Sequence, residues 1–112
     1  MSQVTTHVLD TANGKPAAGI SIILHQQVKN EWVQIANGIT NKDGRIGDLL
    51  QTDQVLPAGI YKMDFATKDY FDQVGSKGFY PVVTVTFEIT SGEHYHIPLL
   101  LSPFGYTTYR GS

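Results

Sequence analysis

The strongest constraint on the fold is an alternation of apolar and polar side chains that recurs in short segments between turn-forming residues. It is clearest over residues 81–89, where the predicted inward side chains are Val83, Val85, Phe87 and Ile89. A period of two is typical of β-strands with one buried face. Similar segments cover residues 4–10, 20–26, 32–36 and 94–101, and another follows Pro57-Ala58-Gly59. Seven or eight short strands at hairpin spacing predict a β-sandwich, with a small barrel as the alternative.

One helix is predicted, over residues 67–74. Tyr70, Phe71 and Val74 recur at three- and four-residue spacing within it. Thr67 can cap its start and Gly75 can end it. The chain is therefore expected to be all-β with one short helix.

Size and composition exclude several classes of protein. The 112 residues suit one domain, residues 1–112, with a core of its own. No cysteine is present, which excludes disulfides and thiolate chemistry. The net charge of -2 without a basic run argues against nucleic acid as a partner, and no apolar stretch approaches the ~18 residues of a membrane helix. A cytoplasmic protein is expected, or a periplasmic one if a leader has been removed.

The predicted strand over residues 94–101 has two unlike faces. Its odd-numbered side chains are apolar and predict a core face, whereas the other face carries His94, His96, Pro98 and Leu100. Proline and leucine beside two histidines are poor choices for a face in water. A second subunit is the simplest cover for it.

The histidines allow two interpretations. His94 and His96 could bind one metal ion, with His7 as a third ligand. Without a metal, His7 and His96 could take a proton from water and protonate a leaving nitrogen, while Arg45, after the turn formers of residues 41–44, holds a carbonyl-rich substrate. Each residue taken alone could equally be a solvated polar group. The sequence contains no nucleophile elbow, phosphate-binding loop or dinucleotide fingerprint.

Four segments carry a family resemblance. They are His7-Val8-Leu9-Asp10, Asp43-Gly44-Arg45, the histidine strand with the following Ser102-Pro103, and the terminal Tyr109-Arg110-Gly111-Ser112. With them the chain resembles the transthyretin-like 5-hydroxyisourate hydrolases from end to end. The terminal tetrapeptide is the specific part, because it resembles the hydrolase signature that hormone-carrying transthyretins lack.

The resemblance implies both a fold and an activity. The fold would be a transthyretin-like (prealbumin-like) β-sandwich of two four-stranded sheets with one short helix, assembled as a homotetramer with active sites at the dimer–dimer interface. The activity would be hydrolysis of 5-hydroxyisourate to 2-oxo-4-hydroxy-4-carboxy-5-ureidoimidazoline in urate degradation, by opening a cyclic amide carbon–nitrogen bond. Neither a metal nor a cofactor is implied.

Carried over by position, the resemblance assigns catalytic roles to His7, Arg45, His96 and Ser112. His7, Arg45 and Tyr109 would contact the substrate, and His94 would support the matched His96. The hypothesis is that the two histidines activate a water while Arg45 binds the ring and stabilises the oxyanion. The alternatives are a transthyretin-like small-ligand binding protein without hydrolase activity, a histidine–zinc hydrolase, and a monomeric structural module.

Overall fold

Nine strands and one helix make up residues 2–111, the part of the chain that the computed structural model describes. In chain order they are β1 (Val4–Asp10), β2 (Lys15–Pro16), β3 (Ser21–Val28), β4 (Glu31–Ile39), β5 (Arg45–Ile46), β6 (Gly59–Phe65), α1 (Thr67–Val74), β7 (Val83–Ile89), β8 (Tyr95–Ser102) and β9 (Gly105–Thr108).

The strands form two sheets, which confirms the predicted sandwich. The first sheet has the order β2-β1-β8-β9, and the second has the order β4-β3-β6-β7. The two-residue strand β5 adds a fifth member to the first sheet, because it pairs with β1 on the edge that β2 also uses. All the pairs are antiparallel except β1 with β8, which run parallel over the whole length of β1.

The core lies between the sheets and is built from alternate side chains, as the period of two predicts. From β8 it takes the odd-numbered residues, and the large side chains of the second sheet include Leu24, Tyr61, Met63 and Phe65. Val85 and Phe87 face the core but are only partly buried, because β7 is an edge strand. The even-numbered side chains of β8 and the odd-numbered ones of β1 are left for the outer face of the first sheet.

The helix has the bounds that the sequence predicts, but it begins differently. Gly75 ends it in the left-handed conformation at φ 75°, as expected. The predicted cap at Thr67 is wrong, because Ala66 is the N-cap and the Thr67 hydroxyl instead donates to the Tyr80 carbonyl at 2.8 Å. Within the described residues, no helix is long and apolar enough to cross a membrane.

His25, expected at the surface, is partly buried in the second sheet. Its strand β3 is flanked by β4 and β6, so neighbours cover it on both sides. The Nε2 atom lies 3.2 Å from the Asp64 carboxylate. His25 is on the sheet opposite the other three histidines and takes no part in their site.

Candidate active site

Strand pairing brings the predicted site residues together on the outer face of the first sheet. In the antiparallel pair of β1 and β5, His7 lies opposite Arg45. In the parallel pair of β1 and β8, Thr5 lies opposite His96. Because side chains on adjacent positions of paired strands share a face, Thr5, His7, Arg45 and His96 become neighbours. The residues come from the beginning, middle and end of the sequence.

Arg45 projects from a tight turn whose backbone is fixed by hydrogen bonds. The side-chain carbonyl of Asn41 accepts the backbone N–H groups of Asp43 at 2.9 Å and Arg45 at 3.1 Å. Gly44 has φ +74°, and a Cβ there would overlap the Val8 carbonyl oxygen, which makes glycine necessary. The guanidinium therefore extends from a rigid base, as the turn formers predict.

Thr5 connects two histidines through its hydroxyl. Its Oγ1 lies 2.8 Å from His94 Nε2 and 2.8 Å from His96 Nδ1. Thr5 is buried, His96 is half-buried and His94 is exposed. Sequence reasoning did not identify Thr5, although alternation already places it on the face of His7. The missing information was the register between β1 and β8.

The electrostatics favour neutral imidazoles at His7 and His96. Burial lowers the pKa of His7, the Arg45 charge lowers it further, and a backbone hydrogen bond and the charge of Asp43 act in the opposite direction. Burial also lowers the pKa of His96, followed by the charges of Arg45, His94 and His7. A neutral imidazole can accept a proton at physiological pH, so both residues suit the role of a base.

A cleft of about 350 Å³ lies beside these residues and is lined by Thr5, Arg45, His94 and His96 together with Thr6, Ile46 and Gly47. This volume suits a small heterocycle. His7 does not line the cleft but is the strand partner of Arg45, which does. His96 also lines a second cleft of about 270 Å³, which contains Tyr109.

Residues 109–111 approach His96 along β8. The Gly111 N–H donates to the His96 carbonyl at 2.8 Å, and a Cβ on Gly111 would lie only 2.6 Å from His96 Cδ2. The Arg110 guanidinium lies 4.4 Å from the Tyr95 ring centroid and 2.8 Å from the Glu93 carboxylate. Arg110 therefore anchors this segment beside the second cleft, which His96 also lines.

The structure does not bring every predicted residue into the cleft that contains Arg45. Tyr109 is 57% exposed and does not line the cleft that contains Arg45. Ser112 lies outside the described residues. Within residues 2–111, no three histidine, cysteine, aspartate or glutamate side chains are placed to hold one metal ion. His94 and His96, considered as a metal pair from the sequence, both contact Thr5 instead.

Comparison with known proteins identifies one family, and the similar proteins include both hydrolases and transthyretins. The sequence model of the HIUase/Transthyretin family matches residues 4–111. The 5-hydroxyisourate hydrolase of Mus musculus is 46% identical over 114 residues, which cover 99% of this chain and 96% of the mouse protein. Among solved structures, sea bream transthyretin in complex with thyroxine superposes with a TM-score of 0.92 at 36% identity, covering 98% of this chain and 95% of that chain. Klebsiella pneumoniae 5-hydroxyisourate hydrolase superposes with a TM-score of 0.84 at 36% identity, covering 97% and 98%.

Proposed function

This chain belongs to the HIUase/Transthyretin family, and from that premise we propose that it hydrolyses 5-hydroxyisourate at the outward cluster of His7, Arg45 and His96. The observation that carries the proposal is the register that pairs His7 with Arg45 and brings His96 onto the same face. The chain is a hydrolase like its mouse, Salmonella and Ralstonia relatives. Backbone similarity alone does not separate a hydrolase from a thyroxine-binding protein, so the side chains of the site are needed.

The reaction breaks a cyclic amide carbon–nitrogen bond with water. One of the two neutral imidazoles takes a proton from a water molecule, which then attacks the lactam carbonyl carbon. The carbonyl oxygen becomes negatively charged, and the Arg45 guanidinium stabilises that charge. The imidazolium formed in that step gives its proton to the leaving nitrogen, which yields 2-oxo-4-hydroxy-4-carboxy-5-ureidoimidazoline, while the second imidazole orients the water. No step in this scheme requires a metal ion.

Substrate binding falls to Arg45, His7 and Tyr109. The planar guanidinium presents several N–H donors in a fixed arrangement, which suits the carbonyl groups of a purine-derived ring. Tyr109 and Ser112 close the pocket and hydrogen-bond the ligand in this proposal. For Tyr109, the second cleft supports it, because Tyr109 and His96 both line that cleft.

The active assembly in this proposal is a homotetramer with the sites at the dimer–dimer interface. Partly exposed Leu9 and Leu100 lie on the same outer face as the polar cluster. An apolar surface around a catalytic cluster suits contact with a second copy of the chain. Exposed Phe104 and Tyr106, at the turn into β9 and in that edge strand, offer further apolar contact area.

A small-ligand binding protein without hydrolase activity is the second candidate. The backbone is compatible with it, because a thyroxine-bound transthyretin superposes with a TM-score of 0.92. It predicts saturable binding of an aromatic ligand and no ring opening. The two candidates therefore differ in whether the substrate is consumed.

The deciding experiment follows the ultraviolet absorbance of freshly generated 5-hydroxyisourate with and without the protein. The protein is expected to accelerate the decay, and His7→Gln, Arg45→Gln or His96→Gln should each lower kcat/KM about 10²-fold or more. His25→Gln is the matched control, since this histidine lies on the other sheet. Decay no faster than the spontaneous reaction would exclude the hydrolase and leave the binding protein.

A further inference from the structure

The contact of Thr5 with two imidazoles has a consequence that rests on the proposed hydrolysis. A threonine hydroxyl has one proton to donate and lone pairs that accept. Among the described residues the buried hydroxyl has no other hydrogen-bond partner, so its own proton and both 2.8 Å contacts of Oγ1 are satisfied only when one contacting nitrogen carries a proton and the other does not. The protonation states of His94 and His96 are coupled through this one oxygen.

Two arrangements of the protons satisfy both hydrogen bonds of the Thr5 hydroxyl. In the first, His96 Nδ1–H donates to Thr5, and Thr5 donates to a bare His94 Nε2. His96 Nε2 is then bare and can act as a base. In the second, every proton is shifted by one position, so that His94 Nε2–H donates to Thr5, Thr5 donates to His96 Nδ1, and His96 Nε2 carries the proton.

We propose that His96, Thr5 and His94 form a proton relay that moves positive charge from the half-buried His96 to the exposed His94 during the reaction. When His96 Nε2 accepts a proton from the attacking water, Nδ1–H passes its proton to Thr5 Oγ1, and the Thr5 proton passes to His94 Nε2. His96 is then neutral and His94 is the imidazolium. The reverse passage occurs when His96 Nε2 gives its proton to the leaving nitrogen, which restores the first arrangement with no net gain or loss of protons.

The surroundings of the two rings favour this direction of charge movement. Both rings line the cleft that contains Arg45, but His96 is half-buried, so an imidazolium costs more at His96 than at His94. His94 is exposed, and water can solvate a charge on it. The charged and titratable neighbours of His96 are Arg45 on β5, His7 on β1 and His94 immediately before β8, and none of them is an anion. Thr5 and His94 act through His96 and are therefore positioning residues.

The test compares substitutions that keep or remove the hydroxyl. Thr5→Val preserves the shape of the side chain and should lower the single-turnover rate about 10²-fold, the lower end of what a proton-transfer group supplies. Thr5→Ser keeps the hydroxyl and should restore the rate to within about 5-fold of the original. His94→Gln changes an exposed residue, leaves the fold intact and should also slow the reaction.

A proton inventory distinguishes a relay from a merely structural role. In mixtures of H₂O and D₂O, the single-turnover rate of the unaltered protein should curve with deuterium fraction, because several protons move in the rate-limiting step. The dependence should become linear in Thr5→Val and in His94→Gln. Equal rates in Thr5→Val and the unaltered protein, or the same curvature in both variants, would overturn the relay. Failure of the unaltered protein to open the ring would instead overturn the proposed function.

Discussion

At residue 111, the absence of a side chain determines how closely the backbone can approach His96. A Cβ there would lie 2.6 Å from His96 Cδ2 and 3.1 Å from Pro98 Cγ, whereas real contacts of this kind exceed 3 Å. Pro98 is buried within β8 and has little freedom to move. Either the His96 imidazole or the backbone that approaches it must therefore shift if residue 111 gains a methyl group.

Gly111→Ala should lower kcat/KM about 10²-fold, because a displacement of about 1 Å in a catalytic group has an effect of that size. Steady-state kinetics on 5-hydroxyisourate measure the loss. Gly92→Ala is the matched control, since its Cβ would meet only Val55 at an ordinary 3.4 Å. Unchanged activity in Gly111→Ala would show that His96 is not held by this contact.

The charge of Arg45 should set the acid limb of the pH–rate profile. Burial and then Arg45 lower the pKa of both His7 and His96, and a base must be neutral to act. Activity should therefore rise with pH through a midpoint below the ordinary histidine value of about 6.5. Arg45→Gln removes one cause of the lowering and should move the midpoint to higher pH. In Lys77→Gln, which loses an exposed lysine that lines neither cleft, the midpoint of kcat/KM should not move. A downward shift in Arg45→Gln would contradict the assignment.

The sequence predicts which face of a strand each site residue lies on better than it predicts which residues that side chain contacts. Alternation assigns His7 to the outer face of β1 and His96 to the outer face of β8, and both assignments are confirmed. The contacts of Thr5 could not be predicted, because they depend on the register between strands whose paired residues are 91 positions apart. Arg110 shows the same limit, since its anchor at Glu93 depends on the path of residues 109–111 along β8.

At the scale of elements, α1 is attached to the first sheet through one buried carboxylate. Tyr70 in α1 donates its hydroxyl proton to Asp10 at the end of β1 at 2.7 Å, and Asn13 donates to the same carboxylate. Asp10 is only 1% exposed. Burial raises the pKa of Asp10, but the hydrogen bonds from Tyr70 and Asn13 outweigh burial and lower it.

Tyr70→Phe should destabilise the protein by about 1.5 to 3 kcal/mol near neutral pH, since it removes a hydrogen bond to a buried charged group. Because the pKa of Asp10 is lowered by folding, its contribution is present above the unfolded value and is lost as pH falls through the folded value. The difference in urea unfolding free energy between the two proteins should therefore shrink in acid. Lys68→Gln, on the exposed face of the same helix, should leave the unfolding midpoint unchanged.

The sequence predicts the strands and the helix whose bounds depend only on the pattern of nearby residues. The bounds of β1 and α1 agree with the sequence, because approximate alternation and a glycine stop are local signals. The start of α1 depended on Tyr80, thirteen residues away, so Thr67 could not be recognised as a tertiary contact. The pairing of β5 with β1 was likewise invisible, because a two-residue strand has no periodicity.

At the scale of the whole molecule, the proposed homotetramer predicts the mass of the protein in solution. Four copies of a 12.3 kDa chain should sediment together at about 49 kDa. Leu100→Arg places a charge on the outer face of the first sheet and should yield smaller species with lower activity. Ile39→Arg, on the exposed surface of the second sheet, should leave the tetramer intact. Sedimentation velocity measures both variants, and a monomer for the unaltered protein would exclude the tetramer.

The parallel pairing of β1 with β8 also determines how late in synthesis the residues of the proposed site can come together. His96 lies 91 residues after Thr5. At about 5 to 20 residues per second, the ribosome adds His96 roughly 5 to 18 s after Thr5. During that interval the nascent chain carries an unpaired edge on β1, which is open to mispairing or to a chaperone. A message truncated between the codons of Arg45 and His96 would give a polypeptide that contains His7 and Arg45 but lacks the strand that completes the proposed site.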